Sequence, residues 1–166
     1  MLQKLSMGII DLKDLETAIG GKKRLIGIDH GTKTLGLAVS DPLWTVATPL
    51  QTIKRTKFSK DVIELANIVK TYEVGAYIIG LPLNMDGTEG PRCQSVRHFA
   101  DNLIGKADVL GHDPVICFWD ERLSTAAVER FMIDDLDLSR KRRAEVVDKM
   151  AACHILQGAL GRLDYL

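Results

Sequence analysis

The sequence predicts an α/β protein, a mixed central β-sheet flanked by α-helices. Three observations carry that prediction. Arg24-Leu25-Ile26-Gly27-Ile28, Leu35-Gly36-Leu37-Ala38-Val39-Ser40 and the stretch between Thr45 and Ile53 read as three strands joined by short polar turns. Ala76-Tyr77-Ile78-Ile79-Gly80-Leu81 is apolar on consecutive positions, as in a central strand covered on both faces. From there on, helical and strand patterns alternate, which places helices against the sheet.

Each element follows in order. Leu12, Leu15 and Ile19 stand at helical spacing before Gly20-Gly21, so residues 1–23 are read as an N-terminal extension, a short amphipathic helix and a flexible hinge. Residues 24–166 form the main domain, since one core typically serves roughly 100 to 150 residues. After the third strand, Ser59 can cap a helix with the apolar stripe Val62, Ile63, Ala66 and Val69. Pro82 ends the central strand, a glycine-rich loop runs to Gly90, and Pro91 can open a helix bearing Val96, Phe99, Ala100 and Leu103. Val115 to Trp119 is a further buried strand. A helix is expected from Ser124 or Thr125 to about Leu136, then a linker to Ser139, then a last helix over roughly Arg142 to Leu163.

Composition narrows the function classes. Lys plus Arg and Asp plus Glu are 22 each, so no global positive field announces a nucleic acid and local clusters must supply one. Cys93, Cys117 and Cys153 are far apart and form no CxxC pair, which points away from a disulfide framework or a cysteine zinc site. No apolar run reaches the roughly 18 residues of a membrane span, and the N-terminal apolar patch is broken by Asp11, Asp14 and Glu16. A cytoplasmic protein without membrane partners is expected.

The chemistry gathers at carboxylates. Asp29 directly follows an apolar strand, where a charge needs water, a hydrogen-bond partner or a cation. Beyond it, Gly31 and Gly36 flank Thr32-Lys33-Thr34, a loop that can grip a phosphate or simply close a hairpin. Asp120 and Glu121 follow the Val115–Trp119 strand; alternation sends them to opposite faces, so only one can join Asp29. Asp148 lies on a helix beside Ala151, Ala152 and Ile155, a stripe of mostly small residues that can approach the sheet. Each acid also has a structural reading as a turn, cap or ion-pair residue. Converging acids would repel one another unless a divalent cation offset the charge, and an all-oxygen donor set favours Mg²⁺ or Mn²⁺ over zinc.

Four segments in sequence order carry a resemblance. Asp29-His30-Gly31-Thr32-Lys33-Thr34-Leu35-Gly36-Leu37-Ala38, the Gly80–Gly90 loop, Asp120-Glu121-Arg122-Leu123-Ser124-Thr125 and Asp148-Lys149-Met150-Ala151-Ala152 together resemble the YqgF/RuvX family. The resemblance implies an RNase H-like fold akin to RuvC-type Holliday-junction resolvases. It also implies a nuclease that processes the 5′ end of precursor 16S rRNA in the bacterial cytoplasm. Carried over by position, Asp29, Glu121 and Asp148 become the catalytic acids and the ligands of two Mg²⁺ or Mn²⁺ ions, with Asp120 as the alternative to Glu121. Lys33, Asn84 and Arg92 become phosphate contacts. Two departures stand out: residues 1–23 extend the usual start, and Thr34 occupies a position where a basic residue is frequent.

Substrate reach is assigned to local charge. Arg140-Lys141-Arg142-Arg143 precedes the Asp148 helix and Lys54-Arg55-Thr56-Lys57 follows the third strand; either run is a nucleic-acid arm or a solvated surface. The expected partner is structured RNA, namely precursor 16S rRNA, or branched DNA, with ribosomal particles as a further partner and a monomer or dimer as the working unit. Two other classes remain open. One is a small ATP-binding protein, suggested by Asp-x-Gly-Thr after a first strand; the other is a non-catalytic nucleic-acid-binding factor for ribosome assembly or transcription.

Overall fold

A computed structural model describes residues 8–123 and 140–166, with side chains of the final helix described from residue 147 onward. Among these residues the sheet consists of β1 (Leu25–His30), β2 (Thr34–Ser40), β3 (Ala47–Lys54), β4 (Ala76–Leu81) and β5 (Ile116–Asp120), in the order β3-β2-β1-β4-β5. β1 pairs antiparallel with β2, and β2 with β3, while β4 runs parallel to both β1 and β5. The helices are α1 (Leu15–Ile19), α2 (Phe58–Thr71), α3 (Pro91–Ile104), α4 (Ala107–Leu110) and α5 (Arg140–Leu163).

Strand alternation sorts the core into two layers. Ile26, Ile28, Tyr77, Ile79 and Ile116 pack on one face with Val62, Leu65, Val96, Phe99 and Leu103 of α2 and α3. Leu25, Ala76, Ile78, Cys117 and Trp119 face the other way, against Ala152, Ile155, Leu156, Ala159 and Leu160 of α5. All six residues of β4 are buried, because helices cover both faces of this strand.

Local sequence explains most element ends. Pro91 stands at the start of α3, where its missing N–H costs nothing. The helix expected to be capped by Ser59 instead begins at Phe58, and no side chain caps its Lys57 N-cap. The buried Asp61 carboxylate accepts from the backbone N–H and hydroxyl of Thr56, tying the chain before α2 into its first turn. The last helix is described from Arg140, and the short α4 carries no repeat long enough to announce it. The helix expected over 124–136 and the linker after it lie outside the described residues.

The N-terminal segment packs on the sheet. Ile9 bridges Ile116 in parallel, with Ile116 N–H donating to Gly8 O at 2.8 Å and Ile10 N–H to Ile116 O at 2.9 Å. Leu15 of α1 is fully buried in the α5-side layer. Gly20 and Gly21, both at positive φ, then turn the chain towards β1.

Candidate active site

Asp29 is the next-to-last residue of β1 and is half-buried. By alternation it shares the α5-facing side with Leu25 and Gly27. Its cross-strand partner on β2 is Gly36. On the other side β1 and β4 run in register to Ile28 and Ile79, and one further step brings Gly80 beside Asp29. A glycine therefore flanks Asp29 on each neighbouring strand.

Those two glycines make room for the other two acids. A methyl group at Gly36 would collide with the backbone carbonyl of Asp148, and one at Gly80 would collide with Glu121 Oε1 and with Ile155. At Gly27 an added Cβ would lie 2.7 Å from Leu156 Cβ and 2.8 Å from the carbonyl of Ala152. The α5 backbone thus rests on a floor of glycines, which sets Asp148 over the start of β2. There Thr34 Oγ1 donates to Asp148 Oδ2 at 2.6 Å. Glu121 opens the 3-10 turn Glu121–Leu123 immediately after β5, with its carboxylate above Gly80.

Asp120 takes a different role. It pairs in register with Leu81 and points away from the α5 side, as alternation requires. Its carboxylate accepts from Arg122 Nη2 at 2.7 Å, from Nε at 3.0 Å and from the Arg122 backbone N–H at 3.0 Å. These hydrogen bonds hold the Asp120 carboxyl below its ordinary range. Arg122 also donates to Met85 O at 3.2 Å, bracing the loop after β4.

The remaining candidates fall into three places. Asn84 lies in a turn closed by its own backbone N–H to Thr88 O, by its amide to Thr88 Oγ1, and by Asp86 Oδ1 accepting from the Thr88 N–H and hydroxyl. Arg92 donates to His30 O at 2.9 Å and Arg55 to Gly31 O at 2.6 Å, so both arginines clasp the turn that bears the exposed Lys33. Arg140, Lys141, Arg142 and Arg143 are the first described residues of α5, and their side chains lie outside the described residues. His30 is buried with its ring 4.9 Å from that of Phe99. Burial, then the positive charges of Arg55 and Arg92, lower its imidazole to about 4 and keep it neutral at pH 7.

Three acids on one side of a sheet give an all-oxygen donor set suited to a hard divalent cation. Among the described residues, however, no group of three or more His, Cys, Asp or Glu side chains is gathered into a ready metal cage. The fit to a cation is one of donor chemistry and a shared face.

Sequence reasoning named candidate acids but missed what positions them. Gly36 and Gly80 carry no chemistry of their own, and their spacing signals nothing until the strands are paired. Thr34 stood out only as a departure from a basic residue; the structure uses it as a hydrogen-bond donor to Asp148.

The fold is a five-stranded mixed sheet with helices on both faces, and the candidate site is a set of carboxylates on its α5 side. The chain belongs to the RuvX family, described as Holliday junction resolvase, whose match spans residues 23–162. It is 57% identical over 157 residues to a Rhodospirillum centenum protein named "Putative pre-16S rRNA nuclease", covering 95% of this chain and 83% of that one. Proteins of the same name from Methylocella silvestris (56% identity, 93% and 92% covered) and Caulobacter vibrioides (54%, 95% and 98%) are similarly close. Among solved structures, Thermus thermophilus RuvC in complex with Holliday junction substrate aligns at 16% identity with a TM-score of 0.49, covering 84% of this chain and 95% of that one. The yeast mitochondrial Holliday junction resolvase Ydc2 aligns at 10% identity with a TM-score of 0.46, covering 93% and 88%. The family assignment stands on the sequence matches.

Proposed function

We propose that this chain is a divalent-metal-dependent endonuclease that cuts precursor 16S rRNA near the 5′ end of the mature species during ribosome biogenesis in the bacterial cytoplasm. The observation that carries the reading is the placement of Asp29 between Gly36 and Gly80, with Asp148 lying over the first glycine and Glu121 over the second. The names carried by relatives above 50% identity over most of this chain support the RNA substrate.

Asp29, Glu121 and Asp148 would hold two Mg²⁺ or Mn²⁺ ions, which when bound activate water and stabilise the leaving oxygen of a phosphodiester. The chain's own residues do the rest. Thr34 fixes the Asp148 carboxylate through its hydroxyl and so orients the oxygens that a cation would use. Asp120 and Arg122 brace the strand end and the Asn84–Thr88 turn, so that Glu121 projects from a fixed position. Lys33, exposed at the mouth of the site, and the basic start of α5 supply contacts to neighbouring phosphates. Asn84, through Thr88, and Arg92, through His30 O, shape the two loops that border the strand path.

The test is cleavage of end-labelled precursor 16S rRNA by the purified chain with Mg²⁺ or Mn²⁺, beside Asp29→Asn and Asp148→Asn. Metal-dependent cutting lost in both variants supports the reading. Cutting of four-way DNA junctions in its place moves the substrate to branched DNA. RNA binding without cutting of either overturns catalysis in favour of a binding factor.

A further inference from the structure

We infer that a cleft on the sheet face opposite the acids, walled by Arg55, Arg92 and His30, is a subsite for a phosphate monoester at the end of a nucleic-acid strand. The cleft has a volume of about 270 Å³. That is below the usual range for drug-sized ligands and suits a phosphate with part of its sugar. The strand-end assignment rests on the function proposed above, whereas the phosphate site does not.

The walls come from three elements. His30 ends β1, Arg55 follows β3, and Arg92, Ser95 and His98 lie along one face of α3. The two guanidiniums bond the carbonyls of consecutive residues, Arg92 to His30 O and Arg55 to Gly31 O, which holds them close together. Each uses one N–H in that anchor, and a guanidinium carries four more. Among the described residues that line the cleft there is no Asp or Glu, so the paired positive charge has no carboxylate facing it there.

His30 supplies a buried wall of the cleft. It lines the cleft, is only 6% exposed, and its Nδ1 has no hydrogen-bond partner among the described residues. Thr32, Ser95 and His98 place further polar groups at the rim.

Charge selects the ligand class. A phosphate monoester carries roughly −1.5 to −2 at neutral pH, and two anchored guanidiniums match that charge with forked geometry. An internal phosphodiester carries a single negative charge and leaves half of the pair uncompensated. The carbonyls of His30 and Gly31 lie directly after Asp29, so a strand end held here sits just across the 31–34 turn from the acids.

The test uses the full chain in EDTA, which separates binding from cleavage. Fluorescence anisotropy compares labelled 2′-O-methyl RNA of about 12 nucleotides bearing a 5′-phosphate, a 3′-phosphate or hydroxyls at both ends. One phosphorylated form is expected to bind about tenfold tighter than the hydroxyl form, and inorganic phosphate is expected to erase the difference. The preference should fall to less than about twofold in Arg55→Gln and Arg92→Gln. Those changes also release the turn, so Ser95→Glu is the second variant: it adds a carboxylate from an exposed position on α3 and leaves both carbonyl bonds in place. Equal affinity for all three oligonucleotides, or a preference that survives Ser95→Glu, overturns the strand-end subsite. Binding of inorganic phosphate alone, sensitive to Ser95→Glu, reassigns the cleft to free phosphate and overturns the strand-end part. Because Asp29→Asn should keep the preference, absence of cleavage by the wild type would count against the nuclease reading and leave this one standing.

Discussion

Thr34 Oγ1 donates to Asp148 Oδ2 at 2.6 Å, joining the first residue of β2 to a helix that begins more than a hundred residues later in the chain. The bond fixes one carboxylate oxygen of an acid whose backbone already rests on Gly36. Replacing Thr34 with Val keeps the shape and deletes the donor. Metal-dependent cleavage should fall about tenfold, as for other residues that orient a ligand from behind. The unfolding free energy should fall by about 1 kcal/mol. Kinetics at several Mn²⁺ concentrations and urea unfolding check both, and an unchanged metal dependence would count against a positioning role.

The glycine floor predicts an uneven cost for alanine. Gly36→Ala and Gly80→Ala should each destabilise by about 1–3 kcal/mol, because the added methyl meets the Asp148 carbonyl or the Glu121 carboxylate and Ile155. Gly161, also in α5, has nothing within 4 Å of an added Cβ, so Gly161→Ala should gain about 0.5–1 kcal/mol from helix propensity alone. Urea unfolding of the three variants reads the contrast.

The neighbouring acids should separate by function. Glu121→Gln should lower cleavage by more than about a hundredfold, beyond the range of outer-shell losses. Asp120→Asn removes part of a partly exposed ion pair with Arg122, and its cleavage should drop less than about fivefold. Side-by-side single-turnover rates decide it, and the reverse order would exchange the roles of Asp120 and Glu121.

The ring of His112 stacks on that of Tyr77 at 5.9 Å, and its Nε2 lies 3.1 Å from the Tyr77 hydroxyl. Burial lowers its pKa from the ordinary 6.5, so the folded state favours the neutral ring. Below pH 6.5 the unfolded chain takes up a proton that the folded one resists, and stability is lost as pH falls from there towards the folded value. His112→Phe keeps a stacking ring and removes the titration. Its melting temperature should therefore decline less steeply than the wild type's between about pH 6.5 and 5. Parallel slopes would show that His112 does not contribute.

The sequence by itself determined the five strands, the helices α2, α3 and α5, and which acids are candidates. Consecutive apolar residues over Ala76–Leu81 left no other reading for β4, and Pro91 marked the start of α3 because proline fits a first helical turn. Alternation also established that Asp120 and Glu121 diverge. Which of them faces α5 was settled only by tertiary structure, because that depends on which side of β5 the last helix covers. The start of α2 shows the same limit, with Asp61 and Thr56 ordering the chain ahead of a helix that Ser59 does not cap. Gly36 and Gly80 matter because strands distant in sequence lie beside Asp29, and Arg55 and Arg92 meet because β3 and α3 converge on one turn. Local patterns record what each segment prefers, and only the packed chain decides which segments share a face.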